Sequence, residues 1–246
     1  LASSIINSAD SRSASYTSRA LELSMKVLDD SEFAPFLTNH DQDRVMSELR
    51  GDVNKAKVAA SLLLTSPGTP FIYYGEEIGM QGRKPDENIR RPMQWSDADS
   101  AGFTTGKPWR EPDADYTQVN VAAQTNDPTS LLAHYRALIQ LRNAHPALRV
   151  GNYLTMQTDA DRLFASLRIS EEETVLVLIN TGDENISNFT LKANETGLAE
   201  GSYLLTSLFG PSLNLELSAN DQGSFDLKSD VEIPANQTII LELKLK

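Results

Sequence analysis

Two short, almost wholly apolar runs, at residues 33–38 and 69–74, constrain this chain more than any other feature. Each is too short for a helix, and each is flanked by helical patterns. Runs of this kind fit strands buried on both faces, as in parallel sheets. The pattern before the first run predicts a helix over residues 13–30, with Leu21, Met25 and Leu28 on one face. Asp52 is suited to cap a second helix whose apolar face includes Val53, Ala56, Ala60, Leu63 and Leu64, and Pro67-Gly68 stops it. Asp127-Pro128 predicts the start of a third, carrying Leu131, Leu132, Tyr135, Leu138 and Ile139 inward and ending at His145-Pro146. Residues 75–126 read as a long loop. Helix, strand, helix, strand, helix is β/α repetition. Two parallel strands cannot close a sheet, so residues 1–150 are expected to be the tail of a larger α/β domain.

The character changes near Gly151. Leu163, Ala165, Leu167 and Ile169 alternate with Arg162, Phe164, Ser166 and Arg168, and Ile239, Leu241, Leu243 and Leu245 alternate near the C-terminus. Further runs lie at 174–179, 186–191, 203–209 and 213–217, with a charged turn at Glu171-Glu172-Glu173. Short strands at this spacing predict an antiparallel β-sandwich over residues 151–246.

The formal net charge of −12 is repelled by nucleic acid and by anionic membranes, and neither is expected as a partner. The absence of cysteine excludes disulfides, thiolate metal sites and a cysteine nucleophile. No apolar run is long enough to span a bilayer, and Leu1-Ala2-Ser3-Ser4 does not open a signal peptide. The compartment is not fixed by these features; export from a bacterial cell is favoured over the cytoplasm.

Candidate chemistry gathers at three places. Asn39-His40-Asp41 directly follows the first apolar run, and in parallel α/β domains functional residues collect at the C-terminal ends of strands. A carboxylate there can stabilise positive charge on a substrate, and an imidazole beside it can donate to a hydroxyl. Taken alone, the triplet reads first as a solvated loop with a capping aspartate. Glu76 and Glu77 follow the second run, but adjacent side chains of extended chain point to opposite faces. A retaining glycosidase pair must converge at about 5–5.5 Å, so these two read as a structural turn. The third place is Arg90-Arg91-Pro92-Met93-Gln94-Trp95, inside the long loop. Arginine offers a rigid fork of donors and Trp95 can stack on a sugar ring or pin the loop; Met93 reads as a pin. Asp97-Ala98-Asp99 lacks the glycine and distal glutamate of a calcium loop, and His134 and His145 read as structural.

Taken in order, these segments resemble the α-amylase superfamily of retaining glycosidases and transglycosidases. Phe36-Leu37-Thr38-Asn39-His40-Asp41 resembles the region at its seventh barrel strand, and residues 68–79, from Gly68-Thr69-Pro70 to Glu77-Ile78-Gly79, the eighth strand and its exit. Arg90 to Trp95 resembles the Arg-Thr-Pro-Met-Gln-Trp stretch of α-glucosidases, trehalose synthases and related amylases, with Arg91 in place of Thr. Ala101-Gly102-Phe103-Thr104, Lys107-Pro108-Trp109 and His145-Pro146-Ala147-Leu148 continue the match. The resemblance implies that residues 1–150 are the C-terminal part of a catalytic (β/α)8 barrel, about its last two β/α units, and that 151–246 are the family's C-terminal β-sandwich.

By the same resemblance, Asp41 would be the third catalytic carboxylate, which binds sugar hydroxyls and stabilises an oxocarbenium-like transition state. His40, Asn39, Arg90 and Arg44 would serve substrate binding, Arg90 by shaping the pocket and Arg44 more by supporting the loop. The family's nucleophilic aspartate and acid glutamate belong to the fourth and fifth strands, and residues 1–30 carry nothing like their flanking motifs. The expected partner is therefore the N-terminal portion of the same enzyme, without which this chain is expected to be inactive. No cofactor is expected in this chain; calcium, where relatives bind it, would be held mainly by that N-terminal part. The expected activity is endo-acting cleavage of α-1,4-glucosidic bonds in starch or maltooligosaccharides. Exo-acting oligo-α-glucosidase and trehalose-synthase-type transglycosidase stand as alternatives within the class. A non-catalytic carbohydrate-binding or transport-accessory relative stands as the alternative of another class.

Overall fold

A computed structural model describes residues 1–28 and 33–246. The helices are α1 (Ala2–Ser11), α2 (Ser15–Ser24), α3 (Val45–Glu48), α4 (Val53–Thr65), α5 (Asp86–Ile89), α6 (Val121–Thr125), α7 (Leu131–Ala144) and α8 (Pro146–Val150). The strands follow as β1 (Asn152–Thr155), β2 (Gln157–Thr158), β3 (Leu163–Ile169), β4 (Thr174–Asn180), β5 (Phe189–Ala193), β6 (Gly201–Phe209), β7 (Glu216–Ala219), β8 (Phe225–Ser229) and β9 (Thr238–Leu245).

The two apolar runs lie side by side and parallel, as expected, but only briefly. Thr69 N donates to Phe33 O and Phe71 N to Pro35 O, both at 2.8 Å, around one parallel bridge between Phe36 and Phe71. Pro35 lacks an N–H and serves here only as an acceptor. Gly68 makes the approach possible: its φ is +79°, and a Cβ there would lie 2.0 Å from Phe33 O. Burial on both faces does not hold for the second run, since Phe71 is 59% exposed and Ile72 36%. A parallel strand gains that cover from flanking strands, and each segment here has one paired edge among the described residues.

The helices carry the first core. Asp52 caps α4 as its sequence suggests, accepting from Asn54 N and Lys55 N. Ala56, Ala60, Leu63 and Leu64 point inward, whereas Val53 is exposed at the first turn. Burial of Leu62, Leu63 and Leu64 stabilises the fold by roughly 1.5–3 kcal/mol each. The helix expected over 13–30 is shorter: α2 ends at Ser24, Leu21 is buried and Leu28 exposed, while residues 29 and 30 lie outside the described residues. Ahead of it lies α1, which has few large apolar residues and is held by Ile5, Ala9 and the hydroxyl of Ser8, to which Thr17 donates. The start of α7 also differs. Ser130, not Asp127, accepts from the first turn, at Ala133 N, while Asp127 closes a preceding turn on Thr129. A hydroxyl next to the first turn outcompetes a carboxylate three residues earlier. The long loop is broken by α5, α6 and short 3-10 turns such as Glu76–Ile78.

From β1 onward the chain forms a six-stranded antiparallel sheet, in the order β1-β3-β4-β9-β6-β7, and a three-stranded sheet β2-β5-β8. The simple alternation read for β3 is corrected. Leu163, Ala165 and Leu167 face a core shared with β5 and β8, but Phe164 packs into the helical core with Val175, Val177 and Ile179. Ser166 and Arg168 are buried too. Helices cover that face, so the strand reads inward on both sides. Arg168 donates to Thr65 O at the end of α4 and to Gly151 O. Arg142 from α7 donates to Leu64 O, Ser66 O and Gly68 O. Two arginines thus satisfy the carbonyls that α4 leaves open at its C-terminus.

Candidate functional site

The paired segment 33–38 delivers Asn39, His40 and Asp41 to the surface. Leu37 and Thr38 are buried and anchor the exit. The turn is fixed by Asn39, whose Oδ1 accepts from Asp41 N at 2.9 Å. Asn39 therefore shapes the loop, and this oxygen is engaged on the backbone rather than presented to a sugar.

Arg90 arrives from the end of α5 and closes on this turn. Its Nε donates to His40 O at 2.8 Å, and one terminal nitrogen donates to Asp41 Oδ1 at 2.9 Å and to Asp86 Oδ2 at 2.7 Å. His40 Nε2 lies 3.4 Å from Asp41 Oδ2, an ion pair when the imidazole is protonated. Asp86 is held below the usual carboxylate range, first by its hydrogen bond from Lys84 and then by the charge of Arg90. The side chains of His40 and Asp41 are 66% and 64% exposed. They form a solvent-facing wall in which Asp41 Oδ1 is held by Arg90 and Oδ2 faces His40 Nε2.

Arg44 does not join this wall. It is buried beneath the exit of the second segment, donates to Tyr74 O at 2.7 Å, and lies 4.7 Å from the ring centroids of both Tyr73 and Tyr74. The expectation that it supports the loop agrees with this placement; direct sugar binding does not, because the guanidinium has no open face.

Glu76 and Glu77 form the turn that their spacing suggested, a short 3-10 turn over Glu76–Ile78. Glu76 is only 2% exposed, and burial pushes its carboxyl up to about 8. Burial raises Glu77 as well. In the loop, Met93 is buried with Ile78, Met80 and Leu132. Arg91 pairs with Asp113, and Gln94 donates to Asp115 Oδ1 at 3.1 Å. Trp95 is half-exposed, with its backbone N–H bound to Ala101 O. Asp97 and Asp99 gather no third acidic or imidazole ligand among the described residues. His134 and His145 are structural as read: the first bonds Ser61 and Lys57 O, the second Glu173.

Sequence reasoning brought together Asn39, His40, Asp41 and Arg90, and missed Asp86, Tyr73 and Tyr74. Asp86 carries a signal in hindsight, an acid four residues before Arg90 on one helical turn. The tyrosines were hidden inside an apolar run.

A family model described as the alpha amylase catalytic domain matches residues 7–151. This chain belongs to the alpha-amylase family. Alpha-amylase 3 of Dictyoglomus thermophilum is 39% identical over 165 residues, covering 66% of this chain and 33% of that protein. An oligo-1,6-glucosidase of Halalkalibacterium halodurans is 34% identical over 211 residues, 70% of this chain and 37% of its own length. Among solved structures, the α-amylase of H. orenii superposes with a TM-score of 0.76 at 32% identity, covering 99% of this chain and 48% of that one. The chain thus has an alpha-amylase superfamily fold and spans about a third of the curated relatives' length.

Proposed function

We propose that this chain supplies the transition-state-stabilising wall of a retaining α-glucan hydrolase. The observation that carries the reading is the closure of Arg90 on Asp41 and on His40 O at the exit of a parallel segment. Arg90 fixes one oxygen of Asp41, and the other, 3.4 Å from His40 Nε2, stays on the solvent-exposed side. That oxygen accepts from the hydroxyls of the sugar whose bond is cut, and His40 donates to the same ring. Contacts that strengthen as the ring flattens toward an oxocarbenium ion lower the barrier rather than merely binding substrate. The nucleophile and the acid are assigned to the remaining portion of the enzyme, which is the chain's partner in the barrel.

Residues 151–246 are read as a β-sandwich that buttresses the barrel portion 1–150, because the two sheets share one apolar core and the larger sheet packs on the helices. Any structural calcium is placed outside this chain, and the net charge of −12 argues against nucleic acid as partner. Export from a bacterial cell remains the favoured location.

Endo-acting cleavage of α-1,4 bonds is the first reading. Exo action on α-1,6-linked oligosaccharides is the second, favoured by the likeness to an oligo-1,6-glucosidase over 70% of the chain. Product analysis of the full-length enzyme on starch and on isomaltose separates them. In the same enzyme Asp41→Asn is expected to lower kcat at least about a hundredfold. An unchanged kcat would remove Asp41 from the mechanism.

A further inference from the structure

We propose that Tyr73 and Tyr74 are positioning residues for Arg90, acting through the two backbone carbonyls that flank it. The inference rests on the reading of Asp41 given above and goes beyond it. Tyr73 Oη donates to Ile89 O at 3.2 Å, and Tyr74 Oη donates to Arg91 O at 2.7 Å. The carbonyls immediately before and after Arg90 are therefore each tied to a different ring. Arg90 N closes the last turn of α5 on Asp86 O at 3.1 Å, so the main chain at this residue is held from three directions.

The rings are themselves fixed. They meet edge to face at a centroid distance of 4.8 Å, and the Arg44 guanidinium lies 4.7 Å from each centroid. Arg44 Nε and one terminal nitrogen have no hydrogen-bond partner among the described residues, so the ring faces provide much of the cation's electrostatic compensation. A ring that swung away would leave the buried cation only its bond to Tyr74 O and the charge of Glu77. Burial holds the Tyr73 phenol up to about 12, so it stays a donor throughout the working range.

Both halves of the Asp41–Arg90 contact then depend on one unit. Arg44 follows Asp41 by three residues, and its N–H donates to Gly82 O at 2.9 Å, which fixes the far side of the His40-Asp41 turn. The tyrosine hydroxyls fix the segment that carries Arg90. Misplacing a catalytic group by a fraction of an ångström lowers the rate without removing the group. Loss of either hydroxyl should accordingly act on turnover through Arg90, and should matter little once Arg90 is gone.

The test is a double-mutant cycle in the full-length enzyme, read as kcat and KM on a maltooligosaccharide. Tyr74→Phe keeps the ring and removes the donor. It is expected to lower kcat about three- to tenfold, with KM changed less than about twofold. In an Arg90→Ala background the same substitution should cost less than about 1.5-fold. Tyr203→Phe, which removes a similar 2.9 Å bond to Ala199 O in the sheet region, should leave both parameters unchanged. Tyr73→Phe should parallel Tyr74→Phe; if it lowers the melting temperature sharply, the half-exposed Tyr74 carries the cycle alone. An equal loss with and without Arg90, or no loss in either background, overturns the inference. Asp41→Asn separates the two claims. Full kcat in that variant defeats the functional reading, whereas its loss alongside a neutral Tyr74→Phe defeats only the positioning role.

Discussion

Tyr135 donates a 3.1 Å hydrogen bond to Oε1 of Glu76, and both side chains are buried. The contact joins α7 to the turn that leaves the second barrel segment. Glu76 Oε2 has no hydrogen-bond partner among the described residues, and desolvation dominates the rise of its carboxyl from 4.5 to about 8. The Tyr135 bond and Arg44 oppose that rise, while Glu77 adds to it. Glu76 is therefore protonated in the folded state at neutral pH and ionised in the unfolded chain. A raised carboxylate contributes stability that is fully present below about 4.5 and is lost as pH climbs through about 8. Glu76→Gln, a neutral isostere, is expected to remove a downward slope of about 1.4 kcal/mol per pH unit within that window. Urea midpoints of the full-length enzyme at several pH values measure it. An unchanged slope in the variant would show that Glu76 is ionised when folded.

His134 acts in the opposite direction. Its ring nitrogen lies 2.9 Å from Ser61 Oγ and 3.1 Å from Lys57 O, and Thr238 Oγ1 donates to the same Ser61 oxygen at 2.7 Å. This network ties α7 to α4 and to β9. Burial lowers the imidazole from 6.5 to about 4. A depressed histidine keeps the folded state neutral while the unfolded chain takes up a proton, so stability falls as pH drops from about 6.5 to about 4. Between roughly 4.5 and 6.5 the slopes of Glu76 and His134 cancel. His134→Gln is expected to expose the Glu76 slope down to about pH 4.5, and Glu76→Gln to expose the histidine slope. The double variant should be flat, apart from other groups, in the same denaturation series.

The C-terminus of α4 supports a third expectation. Arg142 and Arg168 divide its open carbonyls between a helix and a strand. Burial lowers Arg142 to about 10, still far above neutral pH, so it remains a cation held by backbone oxygens. Arg142→Met keeps much of the apolar stem and removes every donor. The buried carbonyls of Leu64 and Ser66 then lose these partners, at a cost of about 2–4 kcal/mol. Thermal unfolding of the full-length enzyme should show a clear drop in midpoint. A midpoint within a degree or two of the parent would mean that water takes over these carbonyls.

Much of this architecture was legible because it depends on local rules. Asp52 capped α4 as read, the two apolar runs came out parallel, and Asn39-His40-Asp41 stood at the exit of one of them. What escaped depended on cover from elsewhere in the fold. Arg168 looked solvent-facing because β3 alternates, yet the helices lie over that face. Ser130 displaced Asp127 as the cap because two competent residues lay within one turn, and only tertiary context chooses between them. At the site, Asp41 and Arg90 were recognisable by motif. Asp86 left a helical trace four residues before Arg90, whereas Tyr73 and Tyr74 reach Ile89 O and Arg91 O through single hydrogen bonds across loop segments, and no periodicity encodes those contacts.

The final prediction concerns the chain by itself. The described residues bring one pair of parallel segments and one candidate catalytic carboxylate, Asp41, to an open surface. A retaining mechanism needs a second and a third carboxyl group, one to attack the sugar carbon and one to protonate the leaving oxygen. Glu76 is 2% exposed and closed to a ligand, and Glu77 Oε2 is buried with no hydrogen-bond partner among the described residues, so neither is expected to take those roles. Residues 1–246 expressed alone are expected to release no reducing sugar from starch, maltooligosaccharides or isomaltose above a no-protein blank. Refolding together with a separately expressed N-terminal portion of the enzyme should restore turnover, and Asp41→Asn on this chain should abolish the restored activity. Hydrolysis by the isolated chain that survives Asp41→Asn would place the chemistry at a different site in this polypeptide.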